Sequence, residues 1–430
     1  MSKQSDLSPR IPQELLNKIV DDLHDDSKAL GCCALTSRLL LERSQTHIFS
    51  SIIISSSRDA ACHRSRMDAN PRLWGYVRRL MFLTFFHMHG GGNGTDVSHI
   101  LRKATSLRTL HVGNSIAHAS WYTIPEDTRI ALFNAFRSPS LTDLHIFYLS
   151  SLPASIFGLK MHLNHFSLRG LTFCDDDSFD LGSADLSEMS VHTLEISSND
   201  SIDLLLSIIA HPNSFSSRIK KLILHNLGNT TSLAIAVIKS ATYSLETIQL
   251  LQYPSHEGNM DLPGWAEYDF NVMPYLRRLE LHFMIEVSSR ETFHQSVTSV
   301  VHKIADYFTA NPSMLQIKQI NVRLVPWWLH TKSSRSLGWH HVLDIVCMIS
   351  DWSMLDLILA ARTTSPESSV AVELGMYKGY EGLEYDGLGS AAMGQEEIHV
   401  VKHAWEEKIH AQMPLTSRGG ILITDVIPDE

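Results

Sequence analysis

The chain has 430 residues, of which 44% are apolar and 19% charged, and its formal net charge is −10. That is more length than one ordinary domain uses, enough apolar content for a large core, and the wrong sign for bulk attraction to phosphate backbones or anionic membranes. Five cysteines (Cys32, Cys33, Cys62, Cys174 and Cys347) without a C-x-x-C spacing argue against a secreted disulfide framework and fit a reducing compartment.

The start, Met1 to Pro9, is polar and has no apolar signal core, and no run reaches the ~18 consecutive apolar residues of a spanning helix. The expectation is an intracellular chain, cytoplasmic or nuclear, with neither a membrane nor a nucleic acid as partner.

Residues 11 to 49 read as three short helices. Pro12 suits a first helical position and Glu14 the positive helix start. Leu15, Leu16, Ile19, Val20 and Leu23 then recur at helical spacing as one wide apolar stripe. Asp25 and Asp26 offer caps for a second helix carrying Ala29, Leu30 and Cys33, and Ser37 for a third through Leu40 and Leu41. Cys32 and Cys33 read as small buried helix residues rather than nucleophiles. A module of about 40 residues is marginal alone, and its stripe is wider than two short helices cover. It docks either on the rest of the chain or on another protein.

This run resembles an F-box motif. Ile11, Pro12, Glu14, Leu15, Leu16, Ile19 and Leu23 occupy the places of the family's helical opening. Ala34, Leu35, Ser37 and Arg38 match its later aliphatic pair before Ser-Arg. His47-Ile48-Phe49 followed by Ile52 to Ile54 is similar to the fungal variant, in which a short strand follows the helices. Ile11 replaces the usual Leu, Leu35 the usual Val, and Leu40 stands where Trp is expected. The resemblance covers about a tenth of the chain and places an F-box-like helical domain at 9–56. It implies docking to a Skp-type adaptor and, through it, to a cullin–RING ubiquitin ligase. Pro12, Glu14, Leu15, Leu16, Ile19, Leu23 and Leu35 would be the adaptor-binding residues.

From residue 77 onward a second pattern returns: apolar, two others, apolar, one other, apolar. Strict copies begin at Leu107, Leu141, Leu163, Val191, Leu245, Leu276 and Ile317, and looser ones at Val77, Ile219 and Met354. Seven strict copies exceed the two or three expected by chance in a chain of which roughly a third is Leu, Ile, Val, Met or Phe. Successive starts lie 22 to 41 residues apart, wider and less regular than ordinary leucine-rich repeats. Helical segments fill several gaps: Glu126 to Phe136, Ser201 to Ala210, Thr231 to Ala241 and Arg290 to Ala310. Strand, helix and strand at this spacing imply an α/β fold of parallel strands with crossover helices, stacked as a solenoid. After residue 360 the pattern fades into a glycine- and tyrosine-rich loop, a helix over Glu396 to Gln412 and a strand over Ile421 to Ile427, which form a C-terminal cap.

The combination resembles F-box proteins whose second part is an irregular leucine-rich-repeat-like domain, here over 57–430. In that family the solenoid is implied to select a target.

Little in the sequence points to bond chemistry. His87-Met-His89-Gly90-Gly91-Gly92 contains the HGGG of an esterase oxyanion hole, but no G-x-S-x-G elbow accompanies it. His87 and His89 lack a third metal ligand at telling spacing. The adjacent His340 and His341 are not expected to converge on a helix. His111, His145 and His225 sit in or just after strand motifs, where satisfied structural roles are expected. Neither a P-loop nor a dinucleotide fingerprint occurs. The clusters Arg64-Ser-Arg66 and Arg78-Arg79, and the acidic insertion from Asp175 to Glu188, read as solvated surface.

Aromatics concentrate outside the strand motifs at Trp265, Tyr268, Phe270 and the pair Trp327-Trp328. Either they pack over adjacent units, or Trp265, Tyr268, Trp327 and Trp328 anchor a target. No catalytic, cofactor-binding or metal-ligating residue is assigned. The expected function is that of a substrate receptor in a Skp–cullin–F-box ligase. The alternative is a binding scaffold whose head packs on its own solenoid.

Overall fold

The computed structural model describes residues 11–83, 95–113, 119–174, 186–197, 202–225, 231–252, 270–287, 289–312, 314, 317–328, 339–361, 368–376 and 395–428. They belong to two compact units, Met1–Val191 and His192–Glu430.

The first unit opens with helices α1 (Gln13–Asp22), α2 (Ser27–Thr36) and α3 (Arg38–Ile48). Strand β1 (Ser51–Ile54), α4 (Ser57–Ala69), β2 (Arg79–Phe82), α5 (Thr95–Lys103) and β3 (Thr109–Gly113) follow. Next come β4 (Ala119–Ser120), α6 (Glu126–Phe136), β5 (Asp143–Phe147), β6 (Leu149–Ser150), β7 (Leu152–Pro153), β8 (His162–Arg169) and β9 (Phe173–Cys174). β1, β2, β3, β5 and β8 pair side by side in that order, all parallel.

The repeated sequence signature explains this ladder. Its second and third apolar positions lie two residues apart, so both point to one face of the sheet. The register aligns them into two rows, Ile52–Leu80–Leu110–Leu144–Phe166 and Ile54–Phe82–Val112–Ile146–Leu168. No member is more than 1% exposed. Each such burial contributes about 1.5–3 kcal/mol. The leading apolar residue of each copy is buried as well: Val77, Leu107 and Leu141 just before their strands begin, and Leu163 near the start of β8.

Two places in this unit are sterically tight. Gly113 ends β3 opposite Phe147, and a Cβ there would overlap the Phe147 carbonyl oxygen and ring. Tyr148 and Ser151 flank β6 with φ of 50° and 57°, a conformation uncommon for side chains of their size. Backbone bonds hold both: Tyr148 donates to the Arg169 carbonyl at 2.8 Å, and Ser151 to Thr172 Oγ1 at 2.9 Å.

The second unit opens within β10 (Ser190–Ile196), from His192 on, and continues with α7 (Ile202–Ala210), β11 (Lys221–His225), α8 (Thr231–Ser240), β12 (Thr247–Gln252) and β13 (Arg278–Val287). It continues with α9 (Arg290–Ala310), β14 (Gln319–Trp328), α10 (Trp339–Cys347), α11 (Trp352–Ala360), β15 (Ser369–Met376), α12 (Gln395–Gln412), α13 (Pro414–Arg418) and β16 (Leu422–Pro428). From β10 to β16 every strand pairs in parallel with the next one in sequence. The same spacing builds the interior, in the row Leu194–Leu222–Ile248–Leu279–Ile320–Val370–Leu422 and, as far as β15, its neighbour Ile196–Leu224–Leu250–Leu281–Val322–Val372. The expected helices and the parallel pairing are both present, so the chain is α/β with parallel strands and intervening helices.

Three expectations are corrected. Met354 to Leu359, read as a loose strand copy, lies in α11. Trp352, Leu355, Asp356 and Leu359 are its buried face, and that i, i+3, i+4, i+7 spacing is helical. The strand of that region is β15, where the fading pattern predicts none. Trp327 and Trp328, placed outside the strands by sequence, end β14 in register with Glu286 and Val287.

Polar groups fasten the C-terminal elements. The Asp356 carboxylate is 2% exposed and accepts from Leu415 N–H, Thr416 N–H and Thr416 Oγ1, each at 2.8 Å, which caps α13 from α11. Trp405 of α12 is fully buried and donates Nε1–H to the Val372 carbonyl of β15 at 3.1 Å.

Candidate functional site

In the three-helix head, the caps fall where the sequence places them. Asp26 Oδ1 accepts from Lys28 N–H and Ala29 N–H, and Ser37 Oγ accepts from Leu39 N–H. Pro12 stands one residue before α1 rather than inside it, its carbonyl accepting from Leu15 and Leu16. Val20 and Leu30 fill the small core.

A polar clamp locks α1 to α3. Arg43 donates Nε–H and Nη2–H to the two oxygens of Asp21 at 2.5 and 2.8 Å, and His47 Nε2 lies 2.7 Å from Asp21 Oδ1. The hydrogen bond from Arg43, then that from His47, hold the Asp21 carboxyl down to about 2. At the other end of α1, Gln13 Nε2 donates to the Leu39 carbonyl at 2.9 Å and so joins the starts of α1 and α3.

This arrangement splits the apolar stripe. Leu15 and Ile19, one turn apart on α1, are 53% and 52% exposed, while Val20 next to them is buried. Ile11 precedes them, also exposed. Leu35, at the end of α2, is 91% exposed, and Leu39, at the start of α3, is 60% exposed. Pro12 and Glu14 are exposed, and Leu16 and Leu23 half-buried. The head therefore presents Ile11, Leu15, Ile19, Leu35 and Leu39 to solvent, on helices fixed to one another.

Leu39 is the member that the sequence reading leaves out. The run Leu39-Leu40-Leu41 is its signal, because three consecutive residues cannot share one face of a helix. Cys32, expected to be buried, is exposed, and Cys33 is half-buried. α2 packs on α3 through a narrow face on which Leu30 is the buried residue, and Cys32 lies on its outer side.

The strand faces opposite the apolar rows are polar. In the first unit His111 stacks on its cross-strand partner His145, with centroids 4.2 Å apart and planes at 7°, and His145 meets His165 edge-on at 4.7 Å. Burial, with Arg79 and Arg169 nearby, pushes His111 down to about 4, so the ring is neutral. In the second unit Lys221 Nζ pairs with Glu280 at 3.2 Å and Arg323 with Glu373 at 2.8 Å. Gln249 Nε2 lies 3.3 Å from His282 Nδ1, and burial, aided by Arg323 and Lys221, pushes His282 down to about 3. His225 is buried and hydrogen-bonded to the equally buried Glu195, the satisfied role expected of it.

Burial pushes the Cys347 thiol up to about 11, which keeps it protonated and unreactive. The rings of His340 and His341 lie 4.9 Å apart at the start of α10, closer than adjacent helix positions suggest. Among the aromatic candidates, Phe270 is buried, as the packing reading expects. Trp265, Tyr268, His87, His89 and the acidic run from Asp175 to Asp185 lie outside the described residues, whereas Glu188 pairs with Lys160 at 3.7 Å. Among the described residues no helix is long and apolar enough to cross a membrane.

The chain was compared with protein-family models and with curated proteins, and it matches none of either.

Proposed function

We propose that the chain is a non-catalytic receptor subunit of a Skp–cullin–F-box type ubiquitin ligase. Its head is an F-box that docks a Skp-type adaptor, and the leucine-rich-repeat-like remainder captures a protein target. Ubiquitin transfer is then promoted by proximity, since the target's lysine is held near the ligase-bound donor. The observation that carries this reading is the group Ile11, Leu15, Ile19, Leu35 and Leu39, exposed on a head whose α1 and α3 are held together by Asp21, Arg43, His47 and Gln13.

Apolar side chains fixed in place and left in water are the usual currency of a partner interface. The rival reading, a head folded back on its own chain, needs that same group covered. Leu35 at 91% exposure weighs against it. Leu40 in the place of the usual Trp is half-buried and supplies a smaller anchor.

The test is capture of a purified Skp-type adaptor by the full chain, comparing wild type with Ile19→Asp and Leu35→Asp. Both residues are exposed, so the fold should survive. The expected result is capture by wild type and at least about a tenfold loss in each variant, the scale of an interface hot spot. Absence of capture by wild type would sink the proposal.

A further inference from the structure

The turns that lead into β2, β3 and β5 of the first unit gather positive charge that the reading above does not use. Backbone bonds set them side by side. Arg108 N–H donates to the Arg78 carbonyl and Thr142 N–H to the Arg108 carbonyl, each at 2.8 Å. Arg78 Nη1 donates to the Ser106 carbonyl at 3.3 Å, and Ser140 Oγ to the Thr105 carbonyl at 3.2 Å. On these turns stand Arg72, Arg78, Arg79, Lys103, Arg108 and Arg137, all exposed except the half-buried Arg78. The sequence shows Arg78-Arg79 as a small solvated cluster, and the strand register brings Arg108 beside it.

Counter-charge is scarce here. Asp143, the first residue of β5, is the one carboxylate within 70–79, 103–109 and 137–143, and it accepts from Thr142 Oγ1 at 2.6 Å. Arg78 donates to the Gly75 and Ser106 carbonyls, which carry no charge. Among the described residues no carboxylate pairs with Arg72, Arg79, Lys103, Arg108 or Arg137. Two of these cations have a local reason, since Lys103 ends α5 and Arg137 follows α6, where a cation meets the negative end of the helix dipole. Arg72, Arg79 and Arg108 have none. Arg72 lies at the start of the short 3-10 helix Pro71–Tyr76, the end that favours an anion. Arg78 and Arg108 lead into neighbouring strands about 4.8 Å apart, where like charges side by side cost stability.

We propose that this basic rim binds an acidic segment of a protein partner, an extended run rich in Asp and Glu. The proposal deepens the receptor reading, on which it rests for calling that partner the target. Guanidinium groups bond carboxylates in forked pairs, and Lys103 adds a compact charge. The cations are divided among three adjacent turns, so they suit a partner whose single charges are likewise spaced along a chain. A nucleic acid fits less well. A net charge of −10 repels a long polyanion, and the basic row stops at β5, because Lys160 in the turn before β8 is paired with Glu188 at 3.7 Å.

Fluorescence anisotropy on the full chain, without an adaptor, tests the proposal. The probes are a labelled peptide of alternating Asp and Glu, its Asn–Gln twin, and a single-stranded DNA of equal charge. The acidic peptide is expected to bind at least about tenfold more tightly than its twin, and to weaken as salt rises from about 50 to about 300 mM. Arg79→Gln and Arg108→Gln should each weaken that binding at least about threefold, and the double variant more than about tenfold. Arg108→Lys should keep part of it, and Arg290→Gln, in the second unit, should leave it unchanged. Thermal unfolding confirms that each variant is folded. The proposal is overturned if the peptide is not distinguished from its twin, if the double variant binds as wild type, or if Arg290→Gln weakens binding as much. Tighter binding of the DNA would also overturn it and mark a nucleic-acid face. Because no adaptor is present, this outcome and that of adaptor capture are read separately.

Discussion

The head of the first unit and the strand ladder of the second handle apolar residues in opposite ways. The ladder buries its aliphatic rows and leaves polar groups on the other face, where Lys221, Glu280, Arg323 and Glu373 neutralise one another. The head buries little beyond Val20 and Leu30, leaves Leu15, Ile19, Leu35 and Leu39 in water, and fastens its helices with a polar clamp. The difference teaches that the two regions are stabilised by different forces. A surface that must stay apolar and uncovered cannot also supply the cohesion of its own module, so ionic and amide groups hold the helices instead.

If that contrast is right, interior changes in the second unit should be the most damaging. Trp405→Ala removes a fully buried indole and its bond to Val372, and should cost about 3–5 kcal/mol in denaturant unfolding. Asp356→Ala leaves the Leu415 and Thr416 N–H donors without their acceptor and the Thr416 hydroxyl with only the Met413 carbonyl at 3.2 Å. A loss of about 3 kcal/mol is expected, with early hydrogen exchange in α13.

The clamp should respond to acid. Because the Asp21 carboxyl is held near 2 in the folded head, its contribution is complete above the unfolded value of about 3.9 and is lost as pH falls toward 2. Asp21 is 38% exposed, so solvent screens the effect. Hydrogen exchange in α1 should accelerate between pH 4 and pH 2 relative to the intrinsic rate. Asp21→Asn should raise exchange at neutral pH and remove that acid-dependent step. An unchanged profile would mean that the clamp is ornamental.

The smallest effect sharpens the contrast most. Leu35→Ser should leave unfolding within about 0.5 kcal/mol of wild type, as an exposed site does, while adaptor capture falls. A large loss of stability would show that Leu35 is covered in solution.

Much of the fold is legible in the sequence because its two strongest signals are local. The caps Asp26 and Ser37 and the helices Glu126–Phe136 and Arg290–Ala310 fall where expected, and the strand motif marks nearly every rung. β15 escapes because its leading position is occupied by Glu367 rather than an aliphatic, so only Val370, Val372 and Leu374 remain of the motif. α4 escapes because Ala60 and Met67 are its only buried side chains, too few for a period. Its start was nevertheless written in Ser56 and Asp59, where Ser56 Oγ accepts from the Asp59 N–H at 3.1 Å.

At the candidate site the stripe on α1 is visible in the sequence, but which half of it faces solvent is not. That division depends on Arg43 and His47 reaching Asp21 from 22 and 26 residues away. The pairing of Lys221 with Glu280, 59 residues apart, likewise depends on register alone.

Pairing from β10 to β16 always joins strands that are consecutive in the chain. Such a ladder behaves much as a one-dimensional array in which couplings between adjacent rungs dominate. A lesion in β16 would therefore loosen β15 first and leave β11 and β12 protected. The second unit would unzip from one end under force or protease rather than melt at once.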